Sequence, residues 1–158
     1  MRIAKSPRHE ATKATTSILS DMASFLFTTF LFDAIRADLK ALTDVFSVRL
    51  LDAAGVGAIS RDFEKRSELT GQTGDARNVT LQVILDVPDQ RVLLRVGQAE
   101  WAGVTIPAAL GAVVYQDTGT DSTDRLVAFI QFDSPISVTA GDIVIPEFDI
   151  QLRGDSDA

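Results

Sequence analysis

The residues best suited to chemistry lie in one polar stretch, residues 116–124, which follows an apolar run. It contains the triplet Asp117-Thr-Gly119, and two carboxylates that share a proton can activate water for hydrolysis. A chain with a single triplet would need a homodimer to bring two such carboxylates together. The same stretch offers Asp117, Asp121 and Asp124 as oxygen ligands of the kind that calcium prefers.

Neither reading is well supported by the surrounding residues. Aspartic proteases carry the same triplet, but here Gln116 precedes Asp117, no second apolar-apolar-Gly motif is apparent, and Asp121 and Asp124 add charge. The acidic spacing is not that of an EF-hand, and no Glu closes the site. We therefore expect a polar hairpin loop in which Asp and Gly supply the turn dihedrals, and leave open whether this loop binds an ion.

Other catalytic groups are scarce in this chain. It has no Cys, and His9 is its only histidine. A cysteine nucleophile, a disulfide scaffold and a histidine-based triad are thereby excluded, which leaves carboxylates as acid/base groups. Gly71 and Gly74 lack the lysine of a phosphate-binding loop. The sequence predicts a protein that is not an enzyme, with no cofactor and no metal site.

The single Trp and the single Tyr could in principle stack on a ligand. Trp101 and Tyr115 both fall within strand-like segments. Aromatic residues in such positions more often pack in the core or at a sheet edge. We expect that role for both.

Charge is distributed unevenly along the 158 residues, which are predicted to form a single domain with two tails. Residues 1–13 have a net charge of +3 and the remaining chain a net charge of −10. Residues 1–20 are predicted to be a basic arm that either frays or docks on an acidic partner surface. Four cations are too few to predict direct nucleic-acid binding. The candidate contact residues of the arm are Arg2, Lys5, Arg8 and Lys13.

The most hydrophobic window spans residues 25–32, between Asp21 and Asp33. It is shorter than the ~20 apolar residues of a membrane span, so we predict no membrane insertion and no targeting segment. More Phe occurs here than one small helix can bury alone, and leftover apolar surface marks an interface. The candidate partner-interface residues are Phe25, Phe27, Phe30 and Phe32.

The elements that must position these residues begin with an expected helix. Apolar residues three and four apart, from Thr16-Ser17 or Asp21 to Ile35, predict a helix, although Thr beside Phe also suits a strand. Residues 46–51 alternate as a strand does. Residues 61–69 are predicted to be a short surface helix or a loop held by Phe63, and residues 70–75 a turn.

From Asn78 onward the pattern indicates strands, with a hairpin turn at residues 87–90. Residues 108–115 are typical of a strand buried on both faces. The next strand, 126–132, pairs with it across the loop, and one or two strands follow before a polar tail at 151–158. The predicted fold is mainly β: an antiparallel β-sandwich or small barrel preceded by a short N-terminal helix, with both in a single domain of residues 21–150.

Two blocks resemble a known family. Residues 100–119, EWAGVTIPAALGAVVYQDTG, followed by residues 124–133, DRLVAFIQFD, resemble small virion structural proteins of tailed bacteriophages. In those proteins a Trp precedes a strand that ends in an aromatic-Lys-Asp-Thr-Gly-like turn. Here Gln116 replaces the lysine, and residues 146–150 replace the usual aromatic-rich ending.

The resemblance implies a non-enzymatic part of a virion, made in the cytoplasm of a bacterial host and located on the capsid surface. The expected role is that of a capsid cement or decoration protein, a homotrimer that contacts the major capsid protein or other virion subunits. A head-tail or tail-associated role is the alternative. A tail-associated carbohydrate binder should expose aromatic side chains on a loop rim.

Overall fold

The computed structural model describes residues 25–27, 44–86, 88–89 and 91–152. These ranges contain eight strands, one α-helix and one 3₁₀ turn. They are, in chain order, β1 Phe25–Leu26, β2 Phe46–Leu51, α1 Ala53–Ala58, the 3₁₀ turn Arg66–Glu68, β3 Gln72–Val79, β4 Leu81–Asp86, β5 Arg91–Val96, β6 Ala99–Gln116, β7 Arg125–Ile145 and β8 Phe148–Leu152.

The strands form two antiparallel sheets. The large sheet has the order β1-β7-β6-β2-β3 and the small sheet the order β4-β5-β8. The prediction of a mainly β, antiparallel fold is confirmed, as are the β4–β5 hairpin around Pro88-Asp89 and the β6–β7 hairpin.

The predicted N-terminal helix is not observed where the structure describes the segment. Phe25 and Leu26 form strand β1, paired with Phe129 and Ala128 of β7, so the helix prediction is wrong there and its strand alternative holds. A β-branched and aromatic segment readily adds to a sheet edge when its side chains can be buried. The remaining residues of the predicted helix lie outside the described ranges.

The long β6–β7 ribbon has two halves. Its register is regular from Gly111 to Val114 but shifts at several places between Trp101 and Gly111. Such bulges bend and twist a strand. The bent half reaches β3, where the Trp101 Nε1–H donates to the Asp75 carbonyl oxygen over 2.7 Å.

Three short corners connect the large sheet to the small one. The chain passes from β3 to β4 at Thr80, from β5 to β6 at residues 97–98, and from β7 to β8 at residues 146–147. The Gly97 N–H donates to the Thr80 carbonyl oxygen over 2.9 Å and joins two of these corners. Leu81, Leu94 and Val96 of the small sheet are buried in the common core.

The regular half of β6 forms the centre of that core. Burial on both faces was predicted for residues 108–115 and holds for residues 111–115, whereas Ala108 and Leu110 are only partly buried. At Gly111 a Cβ would lie 2.7 Å from the Ile130 carbonyl oxygen. Only a glycine permits β7 to approach this closely.

One face of the large sheet lies under residues 52–69, here called the covering segment. Asp52 caps α1 by accepting the N–H groups of Ala54 and Gly55. Phe63 packs against the core, as expected, and the predicted helix at residues 61–69 is limited to the 3₁₀ turn.

The predicted turn at residues 70–75 is wrong. Residues 72–79 form β3, which pairs with β2 across a register shift between Val48 and Leu50. Gly71 and Gly74 have positive φ, as turn glycines do, but pairing with β2 holds the intervening residues extended.

Candidate functional site

The candidate site is the loop that joins β6 to β7, residues 117–124. Its first carboxylate, Asp117, is held in place from two sides. Asp117 Oδ2 accepts a hydrogen bond from the Ser47 hydroxyl over 2.8 Å, and Oδ1 accepts the Gly119 N–H over 3.0 Å. The Asp117 N–H donates to the Val45 carbonyl oxygen over 2.8 Å. Asp117 therefore ties the loop to β2.

Asp124, at the other end of the loop, is fully buried. Its Oδ1 accepts hydrogen bonds from the Thr118 N–H over 2.7 Å and the Thr118 hydroxyl over 2.8 Å. Its Oδ2 accepts the Arg66 Nε–H over 2.8 Å. Both oxygens of this carboxylate are thus engaged by groups of the chain itself.

Arg66 reaches the loop from the 3₁₀ turn of the covering segment. Besides Asp124, its guanidinium donates to Asp121 and to Gln72 Oε1, the latter over 3.1 Å. Its Cζ lies 4.8 Å from the centroid of the Tyr115 ring, a cation–π contact. We call these five residues the Arg66 clamp.

Backbone hydrogen bonds follow the same path as the clamp. The Arg66 N–H donates to the Asp124 carbonyl oxygen over 3.0 Å, and the Ser67 N–H to that of Asp121 over 3.1 Å. The Leu126 N–H donates to the Glu64 carbonyl oxygen over 3.0 Å. The loop and the covering segment are therefore joined through both backbone and side chains.

The electrostatics of the clamp favour the ionised pair. Burial of Asp124 acts to raise its pKa, but hydrogen bonds from the Thr118 N–H, the Arg66 guanidinium and the Thr118 hydroxyl outweigh burial. The pKa of Asp124 consequently lies below its ordinary value. Burial acts to lower the pKa of Arg66, yet the hydrogen bond to Asp124 and the nearby Tyr115 and Asp121 raise it.

The pKa of the Tyr115 phenol is also shifted, and here burial is the main cause. Burial raises the pKa of Tyr115, and the nearby Arg66 cation only partly offsets this effect. The phenol is therefore neutral across the physiological pH range.

The clamp leaves neither oxygen of Asp124 free for proton exchange. An acid/base carboxylate must be free to exchange a proton with substrate or water, whereas Asp124 is buried and bonded on both oxygens. Within the described ranges, no group of three or more His, Cys, Asp or Glu side chains could hold a metal ion. Asp117, Asp121 and Asp124 come from one loop, but their partners are protein donors.

The predicted partner-interface residues fall into two groups. Arg2, Lys5, Arg8, Lys13, Phe30 and Phe32 lie outside the described residues. Phe27 is fully buried, so it serves the core and has no surface to offer a partner. Phe25 is half-buried, with its ring centroid 5.2 Å from that of Phe129, and Arg61 lies over the ring at 4.9 Å.

The two single aromatics are in the core, as expected. Trp101 is 0% exposed and Tyr115 is 1% exposed. Neither ring can stack on a ligand, and a carbohydrate binder that depends on them is excluded.

Arg66 was not distinguished by the sequence. It stands in the charged run Arg61-Asp-Phe-Glu-Lys-Arg66, where nothing in the local pattern separates it from Lys65. The available signal was that residues 117–124 contain three Asp and no Lys or Arg. Such a cluster, if buried, needs a cation from elsewhere in the chain.

Comparisons with protein-family models, with curated proteins and with solved structures gave no match to this chain. Among the described residues, no helix has the length and apolar character needed to cross a membrane.

Proposed function

We propose that this chain is a non-enzymatic structural protein of a tailed-bacteriophage virion, a capsid cement or decoration protein that binds across contacts between major capsid subunits. The observation that carries the proposal is the Arg66 clamp. Among the described residues, the loop at 117–124 that sequence analysis singled out uses its carboxylates to hold parts of the fold together.

The position of the family-like residues also supports this role. Residues 100–119 and 124–133, which resemble phage virion proteins, cover most of β6, the first part of β7 and both ends of the clamped loop. The resemblance therefore falls on two paired strands of the large sheet and the loop that joins them.

In this role, a partner would bind at surface that the two sheets leave exposed. Phe25 keeps accessible surface at the edge of the large sheet, next to the Arg61 cation. In the proposal, the basic arm and Phe25 contact neighbouring virion subunits, and three copies of the chain associate on the particle.

Electron microscopy of purified particles tests the proposal directly. Wild-type particles are compared with particles grown without the chain. Difference density over contacts between capsid subunits is expected, together with DNA release at a lower temperature from particles that lack the chain. Difference density at the neck or tail would favour the head-tail alternative, and particles that never contain the chain would refute a virion role.

The oligomeric state is tested on the purified protein. Light scattering coupled to size exclusion is expected to give three times the 17.0 kDa chain mass. A monomer both in solution and on the particle would contradict the proposed trimer.

A further inference from the structure

Residues 25–27, which are β1 and the residue after it, complete the β7 edge of the large sheet. Besides the two ladder pairs of β1 with β7, the Phe27 N–H donates to the Val127 carbonyl oxygen over 3.1 Å. Leu26 is 7% exposed and Phe27 is 0% exposed. Without these three residues, the backbone groups of the β7 edge would be unpaired, so every copy of the chain needs a strand here.

The site that holds residues 25–27 belongs to the other described residues, within 44–152, here called the body. The Phe25 ring centroid lies 5.2 Å from that of Phe129 in β7. Arg61, from the covering segment, lies over the Phe25 ring at 4.9 Å. None of these contacts depends on whether the strand and the body belong to the same copy of the chain.

The connection between this strand and the body is long. Phe27 lies at the β7 edge, and Asp44 precedes β2, which in the order β1-β7-β6-β2 is three strand spacings away, about 15 Å. The sixteen residues between them, 28–43, have an extended reach of about 55 Å. A compact body of about 110 residues is only about 35 Å across. The connection is therefore long enough for residues 25–27 to reach the β7 edge of an adjacent copy.

The rest of the described surface offers little to hold copies of the chain together. Among the described residues, the exposed large apolar side chains are Val45 and Val83, at 52% and 61%. Permanent homo-oligomers have interfaces with an apolar centre, and two valines are too few to form one. An exchanged strand supplies apolar contact between copies without an exposed patch on the body.

We propose that β1 is exchanged between copies, so that residues 25–27 of each chain occupy the β7 edge of the next chain in a ring of three. The inference rests on the homotrimer of the proposed function and assigns the contact that holds it. Each copy gives one strand and receives one, and such a head-to-tail arrangement is closed by the ring. Phe27 offers no exposed surface, and exchange needs none, because its side chain fills the core of the neighbouring copy.

The absence of Cys from the chain allows a disulfide to report which copy supplies the strand. Since the Phe27 N–H bonds to Val127, the adjacent pair Leu26 and Ala128 is not hydrogen-bonded, and its Cα atoms are about 4.5 Å apart, within disulfide range. The double variant Leu26→Cys/Ala128→Cys is treated with oxidised glutathione and run on a denaturing gel without reductant. Bands of two and three linked chains are expected, and reductant should return them to one chain.

Mixing the two single variants gives the matched control. An equal mixture of Leu26→Cys and Ala128→Cys, refolded together from urea and oxidised, should give linked pairs, whereas each variant refolded alone should keep its thiols free. A double-variant disulfide confined to single chains, in a protein that light scattering shows to be trimeric, would overturn the exchange and leave the trimer. A wild-type monomer in solution and on the particle would overturn both, and the virion role would still be decided by microscopy.

Charge substitutions provide a readout that does not depend on disulfide geometry. Phe27→Asp puts a carboxylate into the buried site and should reduce the mass measured by light scattering from three chains to one, and the uncharged Phe27→Ser repeats the test if the charged variant fails to fold. Val45→Asp and Val83→Asp put the same charge on the exposed surface and should leave the trimer intact. Loss of the trimer in the valine variants, with its retention in both Phe27 variants, would overturn the proposal.

Discussion

Two Arg–Asp pairs hold different regions of the molecule, and their surroundings differ more than their geometry. In the small sheet, Arg95 donates to both oxygens of Asp149, over 2.7 and 2.8 Å. In the clamp, the Arg66 Nε–H donates to Asp124 over 2.8 Å. The Arg95 and Asp149 side chains are 36% and 29% exposed, whereas those of Arg66 and Asp124 are 11% and 0% exposed.

This difference in exposure decides what each pair contributes. If the Arg95 pair is broken, water can solvate both charges, so an exposed pair adds little to stability. Loss of Arg66 leaves the buried Asp124 carboxylate with no cation, and burying an unpaired charge is costly. Despite their similar bond lengths, the two pairs should therefore differ strongly in their sensitivity to mutation, because they differ in exposure.

The largest expected effect comes from Arg66→Met. It should lower the free energy of unfolding by about 3–5 kcal/mol, because Asp124 remains buried and ionised. Urea unfolding followed by the fluorescence of Trp101 measures the change.

Arg95→Met is the matched control for this experiment. Its urea midpoint should stay close to that of the wild type. Equal losses in the two variants would show that exposure does not separate the two regions, and a neutral Arg66→Met would show that the clamp is dispensable.

A glycine at the centre of the covered region gives the next largest effect. Gly111→Ala should destabilise the fold by about 1–3 kcal/mol, since the new Cβ would meet the Ile130 carbonyl oxygen at 2.7 Å. Gly57→Ala, in α1, meets nothing within 4 Å and should instead stabilise the fold by about 0.5–1 kcal/mol. Thermal unfolding of both variants checks the sign of each change; a stable Gly111→Ala would mean that β6 and β7 can move apart.

The sequence predicts those features of the fold that are set by residues close together in the chain. The alternation in residues 46–51, the Pro88-Asp89 turn and the small and apolar residues at 108–115 are local signals, and each predicted the observed strand or turn. The alternation predicts a half-buried strand, however, whereas β2 is buried on both faces because it lies between β6 and β3, with Ser47 0% exposed. The clamp joins Arg66 to residues 55 and 58 positions away. No local pattern encodes that pairing.

The errors have the same physical origin. Gly71 and Gly74 indicate turns locally, but pairing with β2 makes residues 72–79 a strand. The Thr residues beside several Phe near Phe25 suit either a helix or a strand, and pairing with the β7 edge makes Phe25 and Leu26 a strand. In both cases tertiary contacts override a weak local preference.

Lowering the pH should also affect the contributions of the two Arg–Asp pairs to stability differently. The pKa of Asp124 is lower in the folded chain than its ordinary value, so the unfolded chain binds the proton more readily. The clamp's contribution is therefore present above the ordinary Asp pKa of about 3.9 and is lost as the pH falls through the folded value.

Urea unfolding at a series of pH values below 5 measures this loss. Asp124→Asn should flatten the decline of stability with falling pH, because the titrating group is gone. Asp149→Asn, in the exposed pair, should leave a decline closer to that of the wild type. A decline unchanged by Asp124→Asn would assign the acid sensitivity to other carboxylates.

The smallest expected effect concerns the basic arm, whose charges would act at exposed positions as Arg95 does. If Arg2, Lys5, Arg8 and Lys13 contact an acidic capsid surface, each exposed pair contributes only about 0–1 kcal/mol and is screened by salt. Deleting residues 1–13 should therefore weaken binding to stripped particles modestly and flatten its salt dependence. The fold should remain intact, because the clamp and the core lie outside the deleted residues.

Retention of full-length and truncated protein on such particles across a salt series measures this electrostatic contribution. A variant in which all four arm cations are replaced by Gln keeps the length of the arm. It should reproduce the flattened curve if charge alone is responsible. Identical curves for all three proteins would show that the arm makes no contact. A truncated protein that fails to fold would show instead that residues 1–13 belong to the body, and the arm would then resemble the buried clamp rather than the exposed pair.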